Sequence, residues 1–228
     1  MSHPEPSSGP LPAPRPYRGI SREKRQGDRR VKLVEAGLEV IGTQGYNAAT
    51  VRVLCAQAGL TERYFYESFA NREMLLTAVY ELCIERLTQA ILDALQTIAQ
   101  PDPDSLSHAG LSVFFETLKH DPRIGRVLFI EILGVSTDVD GLYRRTTLSF
   151  TQLVLQVSRP LYPQGRIPVD DEELVATGLV GAMIMIATRW ILGNYDKPLD
   201  VVVQSSREIF IAVNAQLLAR AQRGTAPG

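Results

Sequence analysis

Residues 50–76 read TVRVLCAQAGLTERYFYESFANREMLL, three short helical phrases punctuated by Gly59 and Asn71. Thr50 is a good amino-terminal cap. Val51, Leu54, Cys55 and Ala58 then recur at i, i+3, i+4 and i+7, the spacing of one helix face, until Gly59 ends the run. Thr61 caps a second phrase in which Phe65 and Phe69, four apart, point inward and leave Glu62, Arg63 and Tyr66 outside. Only Gly59, Leu60 and Thr61 lie between the two phrases. Two short helices joined by so tight a glycine turn make a helix-turn-helix, whose second helix suits the major groove of DNA. Asn71 and Glu73 open the next helix, with an apolar stripe of Leu76, Val79, Tyr80, Cys83, Leu87, Ile91 and Leu95 continuing toward Pro101.

Upstream, Val31, Val34, Leu38 and Ile41 repeat at helical spacing and end at Gly42 to Gly45, where glycine can take a left-handed stop. Six of the fourteen prolines fall in the first sixteen residues, a segment with little to bury and therefore expected to be disordered. Downstream, amphipathic stretches run over about 105–119, 122–133, 139–158, 170–192 and 199–220, with no period-two strand. The chain reads as all-α: a disordered tail over 1–20, a helix-turn-helix domain over 21–76, a helical domain over 77–222 and a short tail over 223–228.

The net charge of -1 divides by position. From Arg15 to Leu76 there are eleven Lys/Arg against seven Asp/Glu, net +4, whereas 77–228 carries thirteen against seventeen, net -4. A basic end on an acidic body points to a polyanion partner for that end. Cys55 and Cys83 make no disulfide framework, and His3, His108 and His120 stand apart, so no metal site is indicated. Met1 to Pro10 lacks a basic start and an apolar stretch, so a cytoplasmic location is expected.

The 50–76 segment, with Gly45-Tyr46 and the helix before it, resembles the DNA-binding segment of TetR-family (tetracycline-repressor-like) transcriptional regulators over about residues 28–76. Phe65, Tyr66, Phe69 and Arg72 match the family's aromatic motif and following basic residue; Ser68 stands where the family often has His, and Arg72 where it usually has Lys. The resemblance implies phosphate contacts from Tyr66 and Arg72. It also implies a carboxy-terminal half that binds a small molecule and forms a homodimer, a palindromic operator, and a repressor's role without a cofactor.

The chemistry of the other residues assigns further roles. Arg63 can bond a guanine edge bidentately, Glu62 can accept from cytosine or sit at the helix dipole, and Tyr64 can touch a thymine methyl or pack under the helix. Thr50 and Thr61 can cap their helices and contact phosphate, with capping the favoured role, Arg52 points to the backbone or an adjacent base, and Arg22, Lys24 and Arg25 form an arm for the minor groove or nearby phosphates. Phe114, Phe115, Phe129, Tyr143, Met183 and Trp190 are candidate walls of a cavity for an apolar or amphipathic ligand. The dimer face is expected at Gly178, Gly181, Ala182, Met185, Val202, Ile209, Val213 and Leu217. Leu174 to Thr188 is free of charge, but its fifteen residues fall short of the roughly 20 a membrane span needs. The rival reading is an all-α enzyme holding Mg²⁺ at Asp170-Asp171-Glu172-Glu173 for a diphosphate substrate.

Overall fold

The computed structural model describes residues 22–224, and every regular element among them is helical. Helix α1 spans Arg22–Gln44, α2 Val51–Ala58, α3 Glu62–Ser68 and α4 Arg72–Gln96. The body adds α5 (Pro103–His120), α6 (Pro122–Arg126), α7 (Thr137–Ser158), α8 (Glu172–Leu192) and α9 (Leu199–Gly224). The tail expected over 1–20 lies outside the described residues, and α9 runs into the segment expected to be a tail from 223.

Local chemistry sets the helix starts. Thr50 accepts from the Val53 amide (3.3 Å), Asn71 from Met74 (2.8 Å) and Asp171 from Leu174 (2.8 Å), each satisfying a donor the helix itself leaves unpaired. Asp102 and Ser105 form a reciprocal capping box around Pro103, whose missing N–H costs nothing at that position.

The core is one continuous cluster. Leu33, Leu38, Ile41, Leu54, Phe65, Phe69, Leu75 and Val79 fill the amino-terminal domain, and Cys83, Leu87, Phe114, Phe115, Leu128 and Trp190 carry the cluster into the body. Helix α4 contributes to both, so it joins the halves through packing as well as through the chain. Burial raises the Cys83 thiol to about 12, which keeps it neutral and unreactive.

Three expectations are corrected. Val31 is 61% exposed, because α1 packs against α2, α3, α4 and α6 and its buried arc turns toward Leu33, Ala36 and Val40. Gly42 does not stop α1; it is buried within the helix, where a Cβ would come 2.4 Å from the Arg123 Cβ, so its role is close approach to α6. The stretch 122–133 is not one helix: α6 widens into a π-helical turn over Val127–Glu131.

Helix α8 also revises the membrane argument. The helix extends past Arg189 to Leu192, and its 21 residues, with a most apolar window of mean hydropathy 1.7, are by length and composition enough to cross a membrane. One side of it packs against α7, α9 and α6, burying Ala176, Leu179, Val180, Ala187 and Trp190.

Candidate nucleic-acid interface

The turn between α2 and α3 is built by Gly59, whose left-handed φ of 64° lets the Leu60 amide donate back to the Cys55 carbonyl at 2.9 Å. A side chain at this φ would be strained. The turn sets α3 across α2, with Phe65 and Phe69 anchored in the core at 0% and 2% exposure. Thr61, Glu62, Arg63, Tyr66 and Glu67 remain on the outer face. Tyr66 is 59% exposed and braced edge-on against Phe65, so its hydroxyl stands clear of the protein. Thr61 occupies the cap position of α3 without a side-chain cap bond, while the Thr50 hydroxyl, already accepting from Val53, retains its proton to donate outward. Arg52 is exposed on the first turn of α2.

Several residues sit differently from expectation. Arg72 is half-buried: one terminal nitrogen donates to the carbonyls of Tyr46 (3.3 Å) and Ala49 (3.2 Å), and the guanidinium lies 5.0 Å from the centre of the Tyr46 ring. It ties α4 to the single 3₁₀ turn over Tyr46–Ala48 that leads into α2. Ser68 has a buried hydroxyl without a hydrogen-bond partner, so it does not present that hydroxyl to a phosphate. Tyr64 lies under the Arg29 guanidinium at 4.3 Å, which favours its packing role over a thymine contact. Arg22, Lys24 and Arg25 belong to the first turn of α1 and are not an arm detached from the domain.

A polar junction, not foreseen from the sequence, joins this domain to the body. Arg126 donates from Nε to Glu131 (2.8 Å) and from a terminal nitrogen to the Thr43 carbonyl (2.8 Å), while Glu131 also accepts from the Tyr46 amide (2.8 Å). Gly45, at φ 92°, lies so close that a Cβ would be 3.1 Å from Arg126 and 3.2 Å from Glu131. Arg123 bridges Asp121 and Glu39 at 2.7 Å each, and its fork holds the Asp121 carboxyl below the usual carboxylate range. The glycines at 42 and 45 were the available signal, legible in sequence only as a helix stop.

The π-helical turn between Arg126 and Glu131 points its apolar side chains inward, and Leu128 and Phe129 line a cavity. That cavity is small, about 20 Å³, and shares Phe150, Val180 and Met183 with an apolar cavity of about 100 Å³ bounded by α4, α5, α7, α8 and α9. On its other side it shares Tyr80, Ile84 and Thr146 with a wider space of about 350 Å³ against α4. Of the six candidate wall residues, Phe114, Phe129, Tyr143 and Met183 line this string. Phe115 and Trp190 do not: Trp190 stacks edge-on with Phe115 and Tyr195 and donates from Nε1 to the Lys197 carbonyl (2.9 Å), all within the core. Burial raises the Tyr80 hydroxyl to about 12, so it stands neutral at the neck between spaces.

On α8, Gly178, Gly181 and Met185 face outward and Met185 is 68% exposed; Ile209 on α9 is 39% exposed, with Ala182 and Val213 half-buried. Val202 and Leu217, also expected on the outer face, are turned into the chain's own bundle at 5% and 7% exposure. The carboxylates at 170–173 do not converge: Asp171 caps α8, Glu172 pairs with Arg159, and among the described residues no metal-binding group of three acids, His or Cys occurs.

Residues 33–79 match the model of the bacterial regulatory proteins of the tetR family. The HTH-type transcriptional activator FasR of Mycolicibacterium smegmatis is 26% identical over 189 residues, 82% of this chain and 83% of that protein. The fold is that of the fatty acid degradation regulator FadR from Bacillus halodurans (TM-score 0.68, 17% identity, 80% of this chain and 94% of that one). FadR from Bacillus subtilis, solved with stearoyl-CoA, superposes with TM-score 0.70 at 17% identity over 79% of this chain and 96% of that one. These matches are transcriptional regulators and not enzymes, so the diphosphate-enzyme reading is set aside.

Proposed function

We propose that the chain, a DNA-binding transcriptional regulator with a tetR-family DNA-binding domain and fold, acts as a homodimer on a palindromic operator under control of a long apolar ligand. The observation that carries this reading is the outer face of α3. Tyr66 and Thr61, with Thr50 at the start of α2, offer hydroxyls to phosphate, Arg63 offers a fork to a base edge, and the two phenylalanines beneath α3 hold that helix in place. Lys24, Arg25 and Arg52 add positive charge alongside, whose effect on affinity is to release counterions from the duplex. The duplex is met inside the cell.

A single helix reads too few base pairs for specificity, and the outward stripe of α8 supplies the second copy. Leu174, Gly178, Gly181, Met185 and Leu192 lie on one face, apolar and small enough for a partner helix to approach, with Ile209 and Val213 of α9 beside it.

The cavity supports the ligand. Its walls are apolar save for Ser107, Ser158 and Asn214, which suits an acyl chain of the kind held by the stearoyl-CoA relative. About 100 Å³ is well below the roughly 300–1,000 Å³ of ordinary ligand sites, so a long chain must part the helices to enter. That strain reaches DNA through the π-helical turn, because Leu128 and Phe129 line the small cavity that shares Phe150, Val180 and Met183 with this one, while Arg126 and Glu131 hold the loop before α2. A ligand preferring a spread junction thereby changes the spacing of the two α3 helices. Occupancy of an operator represses or activates according to where that operator lies.

Selection of duplexes from a random pool, repeated with stearoyl-CoA, tests both parts. A palindromic site whose affinity shifts at least about fivefold on adding stearoyl-CoA is expected. Enrichment without a response would remove the acyl ligand and keep the operator; enrichment of single half-sites would remove the dimer.

A further inference from the structure

The basic end of α1 grips the carboxyl end of the recognition helix. Gln26 donates from Nε2 to the Glu67 carbonyl (3.2 Å), and Arg30 donates to the Ser68 carbonyl (3.2 Å) while its guanidinium lies 4.3 Å over the Phe69 ring. Arg29 pairs with the Glu67 carboxylate (3.4 Å) and covers Tyr64. The last carbonyls of a helix have no partner within it and carry the negative end of its dipole, so cations and amide donors suit this place. Two of the basic residues that mark this segment in sequence, Arg29 and Arg30, therefore act on α3.

Glu67 is where the grip meets the reader. One carboxylate oxygen faces Arg29, and the other accepts from Arg63 Nε at 3.1 Å, one helical turn back. Arg63 is otherwise open to solvent, with 84% of its side chain exposed, against 34% for Glu67 and 21% for Arg29. A free arginine at a DNA surface has many phosphates to choose from. With Nε held from the side, the two terminal nitrogens are left as an outward fork, the geometry that matches guanine O6 and N7. A carboxylate so near the phosphate backbone lowers affinity for every sequence alike, so its net effect is to exchange strength for discrimination.

We propose that Glu67, anchored by Arg29, is a positioning residue that sets base specificity by directing Arg63 to a base edge and away from phosphate. This rests on α3 being the DNA-reading helix. The experiment compares full-length unmodified protein, Glu67→Gln, Arg63→Ala and the double variant on the duplex the unmodified protein selects, on that duplex changed at each base pair, and on unrelated DNA. Glu67→Gln is expected to bind unrelated DNA about three- to tenfold more tightly and to lose about tenfold of preference at the one base pair that Arg63→Ala also relaxes. In the Arg63→Ala background it is expected to relax nothing further at that base pair. A purely structural role for Glu67 would lower the melting temperature and leave the base profile intact. Full retention of that preference in Glu67→Gln, or an equal loss of affinity on all DNA, overturns the proposal. Failure of the unmodified protein to select any sequence overturns it together with the DNA-reading role of α3, whereas the first two results leave that role standing.

Discussion

Helices α3 and α8 each turn one face away from their own chain, and the two faces are chemically opposite. On α3 and its cap the outward side chains are Thr61, Glu62, Arg63, Tyr66 and Glu67; on α8 the outward positions are Leu174, Gly178, Gly181, Met185 and Leu192, with charges only toward the two ends, at Glu173 and Arg189. Hydroxyls and guanidinium groups rest comfortably in water until a phosphate or base edge replaces it. Leucine and methionine do not, since each Å² of apolar surface left wet forgoes roughly 25 cal/mol. The partner's chemistry is therefore written on the exposed face and not in the average character of the helix. By its average, α8 would be a membrane span. By its faces, one side packs into its own bundle and the other is exposed and mostly apolar.

The strongest way to break this comparison is Met185→Asp. A carboxylate in the middle of the apolar stripe, even with Arg189 one turn away, would have to give up its water for a partner's apolar surface on pairing. The expected result is a folded monomer by sedimentation, with affinity for the selected palindrome reduced at least about 100-fold because the two half-sites no longer act as one ligand. Unchanged mass and affinity would assign the dimer to another surface and leave α8 an exposed apolar face without a function.

Arg72→Ala sharpens the other side. Taken as a phosphate contact alone, Arg72 should affect DNA binding and little else. In the structure its guanidinium holds the Tyr46 and Ala49 carbonyls ahead of α2, and charge-assisted bonds of that kind contribute about 1.5–3 kcal/mol. The variant is expected to melt roughly 5 °C lower as well as to bind all duplexes more weakly. A loss of affinity with unchanged melting would return Arg72 to the phosphate role.

The α2–α3 region was legible in sequence because its determinants are local. Caps, a glycine turn and two aromatics four residues apart act within a single turn of helix, and Thr50, Gly59, Asn71, Phe65 and Phe69 all behave as their spacing predicts. What was not legible involves partners far along the chain. Arg72 bonds residues 23 and 26 positions away, Glu67 is held from 38 positions away, and Glu131 reaches 85 positions back to Tyr46. Each is a charged residue that, read alone, is a solvated surface group. Val202 and Leu217 fail for the same reason, since periodicity finds the apolar positions of α9 without saying which of them face α5 and which face out. Trp190 has the size of a cavity wall, yet its buried N–H needs an acceptor and finds it in the Lys197 carbonyl of the following turn.

Between the two faces lies the junction through which one would influence the other, and Glu131→Gln probes it with the smallest expected effect. The carboxylate accepts two hydrogen bonds from opposite sides, from Arg126 Nε and from the Tyr46 amide. An amide keeps one oxygen and must present an NH₂ to one of those donors, so one bond is lost and donor faces donor. With the side chain only 15% exposed, little water is at hand to relieve this. The Tyr46 amide is then expected to exchange with deuterium about tenfold faster, equivalent to roughly 1.4 kcal/mol of local stability, while amides in α7 and α8 keep their rates. Unchanged protection at Tyr46 would mean that packing of Gly42 on Arg123 holds the domains together and that the ion pair is incidental. Any ligand signal would then have to travel along α4.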